Sequence, residues 1–78
     1  MIYNERKRMI EEAIEKIDVA INALDGAISE IGIEAARFKL NGANPAVVLS
    51  ISDNVKECVG DLEKIKKDLV AVLKKISK

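Results

Sequence analysis

Large aliphatic residues recur every seven positions along the first half of the chain. Ile10, Ile17, Leu24, Ile31 and Phe38 form one such column. With Ile10 at heptad position a, position d holds Ala13, Ala20 and Ala27, and position e holds Ile14, Ile21, Ile28 and Ala35. Seven residues make nearly two turns of α-helix, so each column lies along one face of the helix. The pattern predicts a long amphipathic helix over about residues 4–40.

The second half of the chain has a comparable repeat. Position a holds Val48, Val55, Leu62, Leu69 and Ile76, and position d holds Ile51, Cys58, Ile65 and Val72. Such an a/d repeat is typical of a helix that packs along another helix. We therefore predict a second helix over about residues 45–77, with positions a and d facing the first helix.

The segment LNGANPA, residues 40–46, predicts where one helix ends and the next begins. Gly42 suits the left-handed position just after a helix, where a Cβ would be strained. Asn44 can accept a hydrogen bond from a free backbone N–H, and Pro45 has no N–H to satisfy. We expect Asn4 to cap the first helix in the same way. A turn over residues 41–44 makes the two helices antiparallel neighbours.

These elements predict an all-α protein of one domain, residues 1–78, formed by a long antiparallel helical hairpin. Gly26 and Gly32 weaken the first helix by about 1 kcal/mol each relative to alanine. A break near Gly32 would give a three-helix bundle instead. The column from Ile10 to Phe38 keeps its phase across Gly32, which favours one continuous helix.

The apolar surface of the first helix is wider than one partner helix can cover. A third column at position c contains Val19, Gly26, Ile33 and Leu40, and with it the apolar arc spans roughly 200°. Soluble monomers seldom expose so large an apolar strip. We therefore expect two hairpins to pair into a four-helix bundle. The residues expected to mediate this self-association are Ala13, Ile14, Ala20, Ile21, Ala27 and Ile28. The c column is either the edge of that interface or a docking surface for a different protein.

Charge is unevenly distributed although the 78 residues have no net formal charge. Residues 17–63 carry eight acidic and three basic side chains, whereas residues 64–78 carry six lysines and one aspartate. In a hairpin centred on residue 43, residue i faces about 86 − i, so Glu11 and Glu12 would lie level with Lys75 and Lys74. The lysines and arginines left at the open end are a candidate anion-binding set: Arg6, Lys7, Arg8, Lys64, Lys66, Lys67 and Lys78.

The residues that usually carry catalysis or metal binding are scarce. The chain has no histidine and no glycine-rich phosphate loop. Its single cysteine, Cys58, lies among aliphatic residues at position d, where we expect a buried and unreactive thiol. We expect no enzymatic activity, no catalytic residue, no cofactor and no metal site. No apolar run reaches the ~18 residues of a membrane span, and no signal peptide is visible, so we expect a cytoplasmic protein.

The regular helix faces favour a self-associating interaction or scaffolding module that also binds another helical protein. One alternative is a small nucleic-acid-binding regulator that uses the basic end, with a layout similar to that of small plasmid RNA-binding hairpin dimers. The absence of net positive charge and the scarcity of aromatic residues argue against it. The length and layout also resemble the exported hairpins that accompany type VII secretion substrates, but LNGANP stands where that group has a Trp-x-Gly turn.

Overall fold

The computed structural model describes residues 2–76, which form two antiparallel α-helices. Helix α1 spans Ile2–Leu40 and helix α2 spans Ala46–Ile76. The described residues contain no strand. The hairpin measures 61 × 14 × 12 Å, so it is about five times longer than it is thick. The predicted all-α hairpin is confirmed, whereas its pairing into a four-helix bundle remains a prediction.

Helix α1 is continuous through both of its glycines, so the three-helix alternative is wrong. The helix also begins two residues earlier than predicted, and Asn4 lies inside its first turn instead of capping it. A capping asparagine is favoured by only about 1 kcal/mol, which neighbouring residues can offset. The end of α1 at Leu40 agrees with the prediction. Helix α2 begins one residue later than predicted, and Ser77, its predicted last residue, lies outside the described residues.

The link between the helices has the geometry that its sequence predicts. Gly42 has a φ of 78°, and the N–H of Ala43 donates to the carbonyl of Phe38 at 2.8 Å. The Gly42 N–H donates to the Lys39 carbonyl at 3.1 Å, which completes a Schellman motif at the end of α1. The Ala46 N–H donates to Asn44 Oδ1 at 3.0 Å. Asn44 therefore caps α2, as predicted.

The face of α2 that packs on α1 differs from the prediction. Position a is half-buried as expected, but position d is exposed and position e is covered in its place. Position e contains Ser52 and Val59, which are buried, and Lys66 and Leu73, which are half-buried. On α1 the bulky isoleucines stand at e and the alanines at d, so the contact covers the isoleucines of α1. On α2 it covers Val59 and Leu73 together with the polar Ser52 and Lys66, and it leaves the apolar d column outside.

One ion pair between the helices indicates their register within residues 2–76. Lys66 Nζ lies 2.6 Å from Asp18 Oδ1, so residue i faces about 84 − i, two residues from the predicted register. The predicted pairs of Glu11 and Glu12 with Lys75 and Lys74 do not form among the described residues. Glu12 lies instead beside Arg8, one turn away on the same helix, at 4.0 Å. Exposed ion pairs contribute only ~0–1 kcal/mol, too little to set the register against packing.

Candidate self-association and partner surfaces

Each helix contacts the other through positions a and e, and this contact has two flanks. Around a helix the order of positions is d, a, e, b, at ~100° per residue. A shallow groove runs along the b flank and is lined by residues of both helices: Asp18, Ile21, Asp25, Glu63, Lys66, Lys67 and Val70. Asp18 and Asp25 occupy position b of α1, and Glu63 and Val70 occupy position b of α2. The b flanks of the two helices therefore lie on the same side of the hairpin.

The d flanks must then share the opposite side, because d and b lie on either side of the a/e contact in both helices. We call this surface the d face. It consists of Ala13, Ala20 and Ala27 from α1 and Ile51, Cys58, Ile65 and Val72 from α2. The alanines are half-buried. Ile51, Ile65 and Val72 are 43–49% exposed, and Cys58 is exposed beside them. The d face is apolar on both helices as far as Glu34, the next residue at position d of α1, whereas the groove side is lined mostly by charged residues.

The six residues predicted to mediate self-association fall into two groups. All six are half-buried within one hairpin. Ile14, Ile21 and Ile28 occupy position e and contribute to the contact with α2. Ala13, Ala20 and Ala27 lie at the edge of that contact, on the d face. The structure leaves the self-association untested, but it brings the alanine column beside the exposed column of α2.

The column of α2 on the d face was missed as a candidate surface because it was assigned to the interhelical contact. For the same reason, the expectation of a buried Cys58 is wrong: its side chain is exposed. The sequence held only part of the signal. Position e of α2 contains Val59 and Leu73 but also Ser52 and Lys66, so the a/e columns are less regularly apolar than the a/d columns. The isoleucines at position e of α1 are the feature that indicated an a/e contact.

The c column of α1 lies opposite the contact with α2. Position c is about 180° from the midpoint of a and e at ~100° per residue. Val19, Ile33 and Leu40 are 57–85% exposed. A Cβ placed on Gly26 would have no neighbouring atom within 4 Å. Nothing within the hairpin therefore requires a glycine here, and the column is an exposed apolar strip.

The basic residues predicted to bind an anion at the open end have different surroundings in the hairpin, and their role remains a prediction. Lys66 is engaged with Asp18, and Lys67 lines a groove that also contains Asp25 and Glu63. Arg8 lies beside Glu12. Arg6 and Lys64 are exposed, Lys7 is half-buried, and Lys78 lies outside the described residues.

Within residues 2–76, His, Cys, Asp and Glu side chains do not gather in groups of three or more that could hold a metal ion. Neither helix of the described part of the chain is long and apolar enough to cross a lipid bilayer.

Comparisons with protein-family models, with curated proteins and with solved structures each found no match to this chain.

Proposed function

We propose that the protein is a non-enzymatic helical interaction module that pairs with a second copy of itself and binds another helical protein. The pairing surface is the d face, and the second binding surface is the c column. In this arrangement α1 contributes to three contacts: α2 at positions a and e, the second copy at position d, and a different partner at position c.

The exposed column of Ile51, Cys58, Ile65 and Val72 carries this proposal. Four apolar side chains at heptad spacing, next to a column of alanines, leave a continuous apolar surface along the hairpin. Covering apolar area contributes about 25 cal/mol per Å². A single hairpin buries little apolar surface, because its buried apolar residues within the described range are Ala35 and Val59. A second copy would convert this two-helix layer into a bundle with a core.

The c column supports the second half of the proposal. Its exposed members, Val19, Ile33 and Leu40, lie on one line along α1, a spacing suited to a partner helix that lies alongside. The column points away from α2 and is separated from position d by position g. Pairing through the d face therefore leaves it uncovered.

The decisive experiment is the solution mass of two matched variants, measured by light scattering at micromolar concentration. We expect the wild-type protein to have a mass of about 17 kDa, twice the 8.6 kDa of one chain. Ile65→Asp should give a monomer, because pairing would desolvate a carboxylate in each copy. Val19→Asp introduces the same charge at another exposed aliphatic position, on α1 and outside the d face, and should leave the dimer intact. A wild-type monomer, or equal effects of the two variants, would contradict the proposed pairing surface.

Nucleic-acid binding is the alternative function, and the lysine-rich residues 64–78 are the observation that favours it. Of the five lysines on the described part of that segment, Lys66 is paired with Asp18 and Lys67 lines a groove with Asp25 and Glu63, whereas Lys64, Lys74 and Lys75 are exposed. The discriminating measurement is a titration with duplex RNA at several salt concentrations. An affinity that falls steeply with salt and is lost in Lys64→Ala would favour the alternative.

A further inference from the structure

We propose that the two copies pair in an antiparallel manner, with their turns at opposite ends. The two-fold axis that relates them passes beside α2, level with the step from Asp61 to Leu62. This inference rests on the proposed self-association and specifies its geometry. The axis places Cys58 against Ile65 of the other copy, and Ile51 against Val72 of the other copy. The occupant of the d face is thus a second copy of this chain in a defined register.

The length of the exposed column selects this register. A two-fold axis perpendicular to the helices pairs residue i of α2 with residue 123 − i of the other copy, so all four members of the column are covered. A shift by one heptad in either direction leaves one member of the column in each copy without a partner. The register proposed here therefore buries the most apolar surface, which is the dominant favourable term in association.

The same two-fold axis is compatible with a contact between the two α1 helices. At the level given by the contact of Asp18 with Lys66, residues 61 and 62 of α2 lie beside residues 22 and 23 of α1. An axis at this level pairs residue i of α1 with about 45 − i of the other copy, so Ala20 lies within one helical turn of Ala27 of the other copy and the two α1 helices can approach through small side chains. At position g, Lys16 lies within about one residue of the level of Glu30 of the other copy. Opposite charges therefore meet twice, once on either side of the axis.

Charge along the hairpin independently favours the antiparallel arrangement. Residues 17–63 have a net charge of −5, and residues 64–78 have a net charge of +5. The acidic range contains the turn and the parts of both helices next to it, and the basic range includes the end of α2 far from the turn. In a parallel pair, each basic end would lie beside the other basic end. In the antiparallel pair, the basic end of one copy lies beside the acidic turn half of the other. Complementary charge fixes orientation and register more than it adds affinity.

Cysteine cross-linking tests this geometry, with Cys58 as the native thiol. Three proteins are compared under mild oxidation at micromolar concentration: the wild type, Ile65→Cys and Ile51→Cys. The two variants have the same substitution on the same exposed column, each seven residues from Cys58. A disulfide needs Cα atoms about 4.4–6.8 Å apart, and seven residues of helix span about 10 Å. A register in which Cys58 meets Cys58 cross-links all three proteins. A register in which residue 65 meets residue 65 joins the Ile65→Cys dimer by one disulfide and leaves both Cys58 thiols free, whereas the proposed register joins it by two disulfides and leaves no free thiol, which a thiol titration distinguishes.

We expect covalent dimers from Ile65→Cys and at least ten-fold less from the wild type and from Ile51→Cys. Cross-linking of the wild type would indicate a register in which Cys58 meets Cys58, and cross-linking of Ile51→Cys without the wild type would indicate a shift of at least two heptads. Free thiols in the Ile65→Cys dimer would indicate that residue 65 meets residue 65. Any of these results would overturn the inference. A dimeric mass without cross-linking in any of the three would also overturn the antiparallel geometry while leaving self-association in place. A monomeric mass for the wild type would contradict the proposed function itself.

Discussion

Individual residues control the hairpin most clearly at the link between its helices. Gly42 adopts a φ of 78°, which L-residues with a side chain rarely adopt, and Asn44 satisfies a free N–H at the start of α2. Both roles were predictable from LNGANPA, because each depends on backbone chemistry within a few residues. Asn4 has the same side chain as Asn44 and does not cap a helix, because no glycine or proline near it interrupts the helix.

Two glycine-to-alanine substitutions should have opposite effects on the free energy of unfolding. Gly42→Ala should destabilise the protein by about 1–2 kcal/mol, because it forces a Cβ into the left-handed conformation. Gly60→Ala should stabilise it by about 0.5–1 kcal/mol, because Gly60 is helical and a Cβ there meets no atom within 4 Å. Urea denaturation of both variants at one protein concentration measures the difference. The same sign for both would contradict the assigned roles.

At the scale of the helices, the sequence predicted their existence, direction and approximate ends but not the rotation of α2. Heptad spacing reports that an apolar face exists, but it does not fix which neighbouring columns pack on the partner helix. The observed rotation places Ser52 and Lys66 in the contact and leaves the more regularly apolar d column of α2 outside it, an outcome of packing between two elements. For the same reason, the sequence alone predicted only part of the candidate d face. Its alanines were identified from α1, and its exposed column on α2 emerged only when the rotation was known.

Substitution of alanine by leucine tests which face of α1 is packed against the second copy. Ala20→Leu should raise the dissociation constant of the dimer at least ten-fold, because overpacking a close contact costs about 1–3 kcal/mol. Ala36→Leu should have little effect, because Ala36 is exposed at position f, on the polar side of the helix. Sedimentation equilibrium of the two variants measures this. Equal dissociation constants would show that the alanine column is not at the interface.

The c column requires a test that separates partner binding from self-association. Val19→Asp combined with Ile33→Asp should keep wild-type helicity and mass, because both side chains are already largely exposed. The double variant should lose capture of the helical partner that the wild type binds, because docking would desolvate two unpaired carboxylates. Circular dichroism, light scattering and pull-down with the wild type as control are the measurements. Capture at wild-type level would exclude the c column as a docking surface.

For the molecule as a whole, the separation of charge along its length governs how assembly responds to salt. In the proposed antiparallel dimer, the basic end and the acidic turn half would attract each other, so added salt would screen a favourable interaction. Raising sodium chloride from about 20 mM to about 300 mM, a range over which the Debye length falls below ~10 Å, should weaken the dimer several-fold. Sedimentation equilibrium at each salt concentration measures this. A parallel dimer would become tighter instead.

The thinness of the hairpin has a consequence for the protein in a cell. A chain only two helices thick has no interior of its own, and among its described residues no large side chain is fully buried. If the second copy completes the core, the folded fraction rises with the amount of protein made, because association stabilises only the paired state. At low expression, the unpaired chain would open readily and be available to proteases. The cellular concentration of the protein would then determine how long each chain survives, because pairing with a second copy would protect it from degradation.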